Sequence, residues 1–214
     1  MSESSYAYHD ASLGCHHAYL LPFLLQILDR LNLPLEQRRL FDLGCGSGAV
    51  CDFLYRQRGM KTVGVDHSES GIQAAKSAFP NLAFYKASAY DDLASQFGRF
   101  PVVLSLEVVE HLYYPRQFAR SVFSLLEEGG TAIISTPYHG YWKNLALALT
   151  DKYDLHLNPL WDHGHIKFWS MKTLGALLHE AGLSEIRFVR VGRIPPLAKS
   201  MLAIAHRPRS AESP

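Results

Sequence analysis

Short apolar runs alternate along this chain with longer segments whose apolar residues recur at helical spacing. The apolar runs are residues 40–43, 62–65, 83–86, 102–106 and 131–135. The helical segments after the first four runs are residues 49–58, 68–79, 91–97 and 115–126. This repeated order of strand and helix predicts a mostly parallel sheet with helical crossovers. The run at residues 102–106 reads Val-Val-Leu-Ser-Leu, which is typical of a strand buried on both faces.

The alternation lapses after the fifth run. Residues 136–169 are rich in aromatic residues and His, and an insertion of this length in a compact domain is usually functional or disordered. The aromatic residues favour an ordered insertion. A helix is predicted at residues 170–181, and strands follow at 186–191 and 201–205, whose hairpin-like spacing predicts an antiparallel pair. We therefore predict an α/β, Rossmann-like fold with helices on both faces of the sheet.

Composition and charge narrow the range of functions. The chain has 214 residues, is 48% hydrophobic and carries a formal net charge of +1, so one sizeable core is expected and no basic field attracts nucleic acid. Its cysteines, Cys15, Cys45 and Cys51, have no disulfide-framework spacing and predict reduced thiols in the cytoplasm. No signal peptide is recognisable, and no apolar run reaches the roughly 18 residues that span a membrane.

A glycine-rich turn after the first predicted strand indicates a nucleotide-type cofactor. Residues 40–48 read Leu-Phe-Asp-Leu-Gly-Cys-Gly-Ser-Gly, and the second strand, Val63-Gly64-Val65, ends at Asp66. This is the layout of a doubly wound site for an adenosine-containing cofactor. Asp42 stands two residues before the first glycine, where an acid suits a cation better than a pyrophosphate. S-adenosylmethionine carries an ammonium and a sulfonium, so it is the predicted cofactor.

Two further segments belong with these: residues 102–111 read Val-Val-Leu-Ser-Leu-Glu-Val-Val-Glu-His, and residues 129–137 read Gly-Gly-Thr-Ala-Ile-Ile-Ser-Thr-Pro. Together, the segments resemble class I S-adenosylmethionine-dependent methyltransferases. The resemblance implies a seven-stranded sheet with an antiparallel last strand, and Asp66 as the acceptor for the ribose hydroxyls. It implies three parts: residues 1–38 as an arm and lid helix, 39–206 as the methyltransferase domain with 136–169 as its substrate-side insertion, and 207–214 as a tail. The cofactor-binding residues it implies are Asp42, Gly44, Cys45, Gly46, Gly48, Asp66, His67, Ser88, Ala89, Tyr90, Leu106 and Glu107.

Two positions depart from the family pattern. Ser88 stands where the family commonly has an acid near the adenine, so its hydrogen bond to the exocyclic amine is expected to be weaker. Pro101 stands where an Asp often precedes the fourth strand, and we interpret it as structural, because Pro is tolerated at the first position of a strand.

The Glu-x-x-Glu-His motif is the second chemical signature. Glu107, Glu110 and His111 are expected on one side of a helical turn at the carboxyl edge of the sheet. The motif resembles ubiquinone-biosynthesis O-methyltransferases and the small-RNA 3′-end 2′-O-methyltransferases, in which it binds a divalent metal with a downstream His. That resemblance implies His111 and Glu110 as catalytic residues. It implies a site for Mg, Mn or Zn formed by Glu107, Glu110, His111 and His165.

Other interpretations of this motif stay open. His111 could be a metal-free general base, and Glu110 could merely anchor a helix. His163 and His165 could be ligands, substrate contacts or ordinary loop residues. His16 and His17, with the neighbouring Tyr6, Tyr8 and Tyr19, could cover the pocket or be exposed residues of an arm.

The predicted function is O-methylation of a small hydroxylated or phenolic metabolite. Six aromatic residues could wall its pocket: Tyr138, Tyr141, Trp142, Trp161, Phe168 and Trp169. The alternatives are methylation of RNA ends, against which the near-neutral charge argues, methylation of a lipid-like substrate at a membrane surface, and a nonenzymatic cofactor-binding module. Residues 141–149 combine aromatic residues and a Lys with apolar residues, which suits peripheral membrane contact or a lid helix. The methylated atom and the oligomeric state are not set by the sequence.

Overall fold

The computed structural model describes Tyr8 and residues 10–155, 157–158, 160–162 and 164–209. The strands are β1 (Arg39–Leu43), β2 (Lys61–Asp66), β3 (Ala83–Lys86), β4 (Phe100–Leu106), β5 (Leu126–Pro137), β6 (Ser184–Val191) and β7 (Ser200–His206). The helices are α1 (His17–Leu31), α2 (Ala49–Arg58), α3 (Glu69–Ala78), α4 (Leu93–Phe97), α5 (Pro115–Leu125), α6 (Tyr141–Leu149) and α7 (Met171–Glu180).

Within the described residues, seven strands form one sheet in the order β3-β2-β1-β4-β5-β7-β6. β1 pairs in parallel with both β2 and β4, whereas β7 runs antiparallel to both β5 and β6. The predicted fold class is confirmed, including the antiparallel last strand. The strand order reverses between β1 and β4, and open α/β sheets bind ligands at the carboxyl ends of strands at such a point.

Alternating side chains on the strands build a core on each face of the sheet. On β1, Phe41 packs with Phe118 of α5, whereas its neighbour Leu40 packs with Leu20 and Leu24 of α1 on the other face. Successive residues point to opposite faces, so helices cover both sides as predicted. The first helix therefore contributes to the main core rather than only to the pocket entrance.

Several element boundaries differ from the predicted ones by one to five residues, and two of them have clear local reasons. α4 begins at Leu93 because Asp92 caps it, its Oδ1 accepting a hydrogen bond of 3.2 Å from the Ser95 amide. β5 begins at Leu126 rather than at residue 131, and its pairing with β4 shifts register between Phe100 and Val102. Pro101 lies in that shift, where no ladder hydrogen bond is needed from its nitrogen, in agreement with its structural interpretation.

Gly48 is held in a conformation that should not tolerate a side chain. Its φ is 76°, and a Cβ there would lie 2.6 Å from Phe84 Cζ and 2.9 Å from Ala75 Cβ. We expect Gly48→Ala to lower the free energy of unfolding by about 3 kcal/mol, measured by urea denaturation, because left-handed strain and overpacking add.

Gly59 supplies a matched control for this prediction. Its φ is 62°, but a Cβ there would meet nothing within 4 Å, so Gly59→Ala should cost only about 1 kcal/mol of left-handed strain. Equal losses in the two variants would show that packing around Gly48 is not tight.

No helix in the described part of the chain is long and apolar enough to cross a bilayer.

Candidate active site

A cavity of about 1480 Å³ opens at the carboxyl ends of β1, β2 and β4. Its walls come from the glycine turn after β1, the ends of β2 to β5, the N-terminal arm and the insertion after β5. Every residue in the cofactor-binding prediction lines this cavity except Gly48, the N-cap residue that precedes α2. Motifs that lie far apart in the sequence therefore line the same cavity.

The glycine turn brings its backbone to the cavity surface. The Gly44 and Cys45 amides both donate to the Val65 carbonyl, at 2.8 and 2.9 Å, which ties the turn to the end of β2. Gly46 has a φ of 54°, and a Cβ there would lie 2.7 Å from the Tyr8 hydroxyl. Tyr8 thus lies directly above the turn, and only a glycine allows this approach.

Asp66, at the end of β2, is oriented by the backbone around it. Its Oδ2 accepts a hydrogen bond from the Gly46 amide at 2.8 Å, and its Oδ1 accepts one from the Ser68 amide at 2.7 Å. The His67 amide also hydrogen-bonds to this carboxylate, which offers about four lone-pair sites in all. Burial raises the pKa of Asp66, and the amides of Ser68, Gly46 and His67 oppose that shift. The carboxylate is therefore fixed in position with acceptor capacity remaining.

Asp42 lies beneath the turn and is 2% exposed. The Cys51 thiol donates to its Oδ2 at 3.2 Å. Burial raises the pKa of Asp42 to about 7, and the nearby negative charge of Asp66 acts in the same direction. Two acids that line one cavity favour a positively charged ligand.

The segment after β3 forms the far wall. The Ser88 amide donates to Asp91 Oδ2 at 2.8 Å, and Ser88 Oγ accepts from the Tyr90 amide at 3.2 Å. The Tyr90 hydroxyl accepts from the Tyr114 amide at 3.2 Å, and the two rings meet edge to face at 5.6 Å. Ser88 is thus fixed by a local turn, with its hydroxyl proton available to a ligand.

Glu107 does not lie on the helical turn that the motif predicted. Its φ is 54°, and the turn that follows is a 3-10 segment over Val109–His111. The left-handed residue swings its carboxylate toward the ends of β5 and β7, where it accepts from Ser135 Oγ at 2.8 Å and Ser200 Oγ at 3.4 Å. Burial raises the pKa of Glu107 to about 7, which the positive charge of Lys143 partly offsets.

The other three members of the predicted metal site do converge. Glu110, His111 and His165 each place one ligand atom within 4.8 Å of the others, without Glu107. The backbone brings them together, because the Glu110 carbonyl accepts from the amides of Ile166 and Lys167, each at 3.0 Å. The fourth predicted ligand, Glu107, lies outside this group of three, and its carboxylate accepts hydrogen bonds from serine hydroxyls.

The chemistry of this cluster fits a cation. Glu110 is 1% exposed, and neither of its carboxylate oxygens has a hydrogen-bond partner of normal geometry in the described part of the chain. His111 Nδ1 lies 3.2 Å from the Gly164 carbonyl, which can only accept, so Nδ1 carries the proton and Nε2 the lone pair. Such a fixed tautomer is the usual state of a histidine ligand.

Burial shifts the pKa values of the cluster toward its neutral forms. It raises the pKa of Glu110 well above its usual range, and the charge of Glu107 adds to this. It lowers the pKa of His165 to about 4, with His111, His139 and Lys143 acting in the same direction. A buried carboxylate that lacks hydrogen bonds is costly, and a bound divalent cation would remove that cost.

The aromatic-wall prediction holds for one residue of six. Trp161 lines the cavity, whereas Tyr138 and Trp169 belong to the core and Trp169 Nε1 donates to the Val109 carbonyl at 3.3 Å. Tyr141 and Trp142 are 73% and 64% exposed on α6. The remaining residue, Phe168, packs edge to face on His139 and does not line the cavity.

Tyr6 and His163 lie outside the described residues. The other residues of the predicted N-terminal lid, Tyr8, His16, His17 and Tyr19, line the cavity. The sequence assigned no site role to four further residues in or beside the cavity: Ser135, His139, Lys143 and Ser200. No sequence motif indicates Ser135 or Ser200, because only the pairing of β5 with β7 brings them close to Glu107. Lys143 was noticed only as part of a possible lid.

The sheet order, the glycine turn and the carboxylate at the end of β2 together define a class I S-adenosylmethionine-dependent methyltransferase. Comparison with known proteins agrees. A family described as "Methyltransferase domain" matches residues 16–186, and this chain belongs to that family.

Relatives and solved structures extend this assignment. The "Ubiquinone biosynthesis O-methyltransferase" of Bartonella quintana (strain Toulouse) is 30% identical over 158 residues, 72% of this chain and 63% of that protein. Its counterpart in Caulobacter sp. (strain K31) is 35% identical over 150 residues, 68% of this chain and 59% of that protein. The chain thus spans less than two thirds of the length of these relatives.

Two solved structures share the fold at lower identity. A putative sarcosine dimethylglycine methyltransferase from Galdieria sulphuraria has a TM-score of 0.67 and 13% identity, over 88% of this chain and 84% of that one. The methyltransferase domain of bacterial CtHen1 has a TM-score of 0.67 and 20% identity, over 88% and 97% of the two chains. At these identities the likeness concerns the fold alone.

Proposed function

We propose that this protein transfers the methyl group of S-adenosylmethionine to a hydroxyl of a small phenolic or otherwise hydroxylated metabolite. One observation carries the proposal: the glycine turn with Asp66 and the cluster of His111 with His165 line the same cavity. The relatives named as O-methyltransferases of ubiquinone biosynthesis support an oxygen acceptor. The division into an arm with lid helix, a catalytic domain and a tail is part of the same proposal.

The proposed donor site follows the cavity walls. Asp66 accepts the ribose hydroxyls with its remaining lone pairs, and the segment Ser88-Ala89-Tyr90 contacts the adenine. The glycine turn and Asp42 lie on the methionine side, where Asp42 favours the ammonium. Leu106 and Glu107 flank the sulfonium end, at the carboxyl end of β4.

We further propose that Glu110, His111 and His165 hold a divalent cation, Mg, Mn or Zn. A bound cation would lower the pKa of the acceptor hydroxyl and orient its oxygen. The chain itself supplies alignment with the sulfonium methyl, exclusion of water by the arm and insertion, and the Nε2 lone pair of His111. Without a cation, that lone pair would take the hydroxyl proton as a general base.

A methyl-transfer assay tests the proposal. Purified protein is incubated with S-adenosylmethionine and catechol, with Mg²⁺ or Mn²⁺ or after stripping with EDTA, and products are identified by mass spectrometry. We expect a monomethyl ether with metal and at least a 100-fold slower reaction after stripping. Full activity after stripping would assign His111 as a metal-free base, and methylation of amines but not phenols would contradict the proposed acceptor.

Asp42 makes donor binding pH-dependent. Its pKa is raised to about 7, so the carboxyl is neutral below that value and anionic above it. Because the cationic donor favours the anion, affinity should rise between pH 5.5 and 7.5, by at most about tenfold per unit, with proton release on binding. Calorimetry in buffers of different ionisation enthalpy measures that release. Asp42→Asn should bind the donor without releasing this proton. If the variant released as many protons as the wild type, the assignment would be contradicted.

A second candidate substrate is a lipid-like acceptor taken from a membrane surface. The observation that favours it is a set of exposed apolar side chains on the insertion: Tyr141, Trp142, Leu149, Leu155 and Leu160. Aromatic residues with exposed leucines suit the interface of a bilayer. Cosedimentation with liposomes would support this candidate. Protein that stays in the supernatant at every lipid concentration would leave the small-metabolite proposal standing alone.

A further inference from the structure

Three basic residues from different segments of the chain line the cavity. Lys143 lies on α6, Arg193 follows β6, and Lys199 precedes β7. Lys143 is close enough to the reacting cluster for its charge to act on both His165 and Glu107. These cations therefore border the region where the acceptor is proposed to bind.

A second cavity of about 270 Å³ adjoins the first at this point. Lys143, Arg193 and Leu197 line both spaces, and Lys152 adds a further cation to the smaller one. The described residues that line the smaller cavity include no acid. The smaller cavity therefore forms a basic recess at the side of the proposed acceptor site.

In the described part of the chain, the two cations between the cavities form no ion pair. Lys143 is 8% exposed, and its Nζ donates one long hydrogen bond, of 3.4 Å, to the Lys199 carbonyl. Within the described residues, neither Lys143 nor Arg193 has a carboxylate within 4.0 Å. Glu107 acts on Lys143 from farther away and is already held by Ser135 and Ser200.

The surroundings disfavour the charge on Lys143. Burial lowers the pKa of Lys143 to about 8, and the positive charge of Arg193 adds to that shift. Lys143 is buried and the nearby Arg193 is exposed, so an anion that contacts both would stabilise the charge on Lys143. A Lys ammonium beside the planar guanidinium of an Arg is a common arrangement for binding a carboxylate or a phosphate.

We infer that the methyl acceptor carries an anionic group, a carboxylate or a phosphate, which binds between Lys143 and Arg193. The inference rests on the proposed function, because it identifies the ligand of this recess as the acceptor. Binding of the anion there would direct the rest of a small aromatic molecule toward His165 and His111. The two cations would then favour phenols whose second substituent is anionic.

Protection of Lys143 from chemical labelling tests the site without any methyl transfer. The protein is acetylated at pH 8 with limiting acetic anhydride, alone or with benzoate, phenyl phosphate or neutral benzamide, and labelling of each lysine is followed by mass spectrometry. We expect benzoate or phenyl phosphate to slow acetylation of Lys143 at least fivefold, and benzamide to have no effect. Exposed Lys172 on α7 is the internal control. The two anions distinguish a carboxylate site from a phosphate site.

A second measurement connects the site with the acceptor. The ratio of kcat/KM for 3,4-dihydroxybenzoate to that for catechol should be at least 10 in the wild type. Lys143→Met and Arg193→Met should each reduce that ratio at least fivefold, Lys143→Arg should restore most of it, and Lys172→Met should leave it unchanged.

The outcomes separate the two proposals. Lack of protection by either anion, protection by benzamide, or a ratio that Lys143→Met does not alter would overturn the anionic acceptor while the methyltransferase proposal stands. Protection of Lys143 in a protein that methylates no phenol would support an anion site and overturn the proposed function.

Discussion

Replacement of Asp66 by Ala is expected to weaken S-adenosylmethionine binding about 100-fold, since two charge-assisted hydrogen bonds to the ribose would be lost at about 1.5 kcal/mol each. The structure gives the carboxylate a fixed position, with Gly46 and Ser68 amides on one lone pair of each oxygen. Isothermal titration with S-adenosylmethionine and S-adenosylhomocysteine measures the loss.

Asp66→Ala also removes two bonds that shape the glycine turn, so a matched variant is needed. Asp66→Asn keeps the side-chain volume and one acceptor oxygen. It should lose less affinity for the donor than Asp66→Ala does, and the two variants should have similar thermal stability. Affinity of Asp66→Ala within threefold of the wild type would remove the ribose assignment.

Replacement of His111 by Ala is expected to lower the turnover number about 1000-fold at saturating donor, because the side chain either binds the cation or accepts the proton, and such roles contribute about 100- to 10,000-fold. The affinity for S-adenosylhomocysteine should stay close to that of the wild type, because the donor site lies at the glycine turn and the end of β2. Stopped assays with mass-spectrometric detection measure turnover.

An exposed His on α7 provides the control for this variant. His179→Ala removes an imidazole far from the cavity lining, so its turnover should equal that of the wild type. Turnover of His111→Ala within threefold of the wild type would show that the cluster is not the reaction centre.

The donor half of the site was predictable from the sequence because its parts are local. The glycine turn directly follows β1, and Asp66 ends the strand that β1 pairs with, so both reach one edge through the parallel register alone. The mostly parallel sheet and the antiparallel last pair followed from the apolar runs and from the short link between the last two strands, whereas the strand order came only from the structure. Helix ends differed by a few residues where caps such as Asp92 decided them.

The acceptor half depends on contacts that no local pattern encodes. The motif spacing placed Glu107 with Glu110 on one turn, but its left-handed backbone turns the carboxylate to Ser135 and Ser200 instead. His165 reaches Glu110 through two backbone hydrogen bonds across more than fifty residues. Lys143 looked like part of an amphipathic lid, and only the fold brings Arg193 next to it.

The central claim is that the acidic corner made by Asp42, Asp66 and the glycine turn binds a cationic methyl donor. Direct titration of the wild-type protein with S-adenosylmethionine, S-adenosylhomocysteine and NAD tests it most simply. The account predicts saturable binding of the first two with one site per chain and no measurable binding of NAD. Saturable binding of NAD by a protein that binds neither sulfur compound would contradict it.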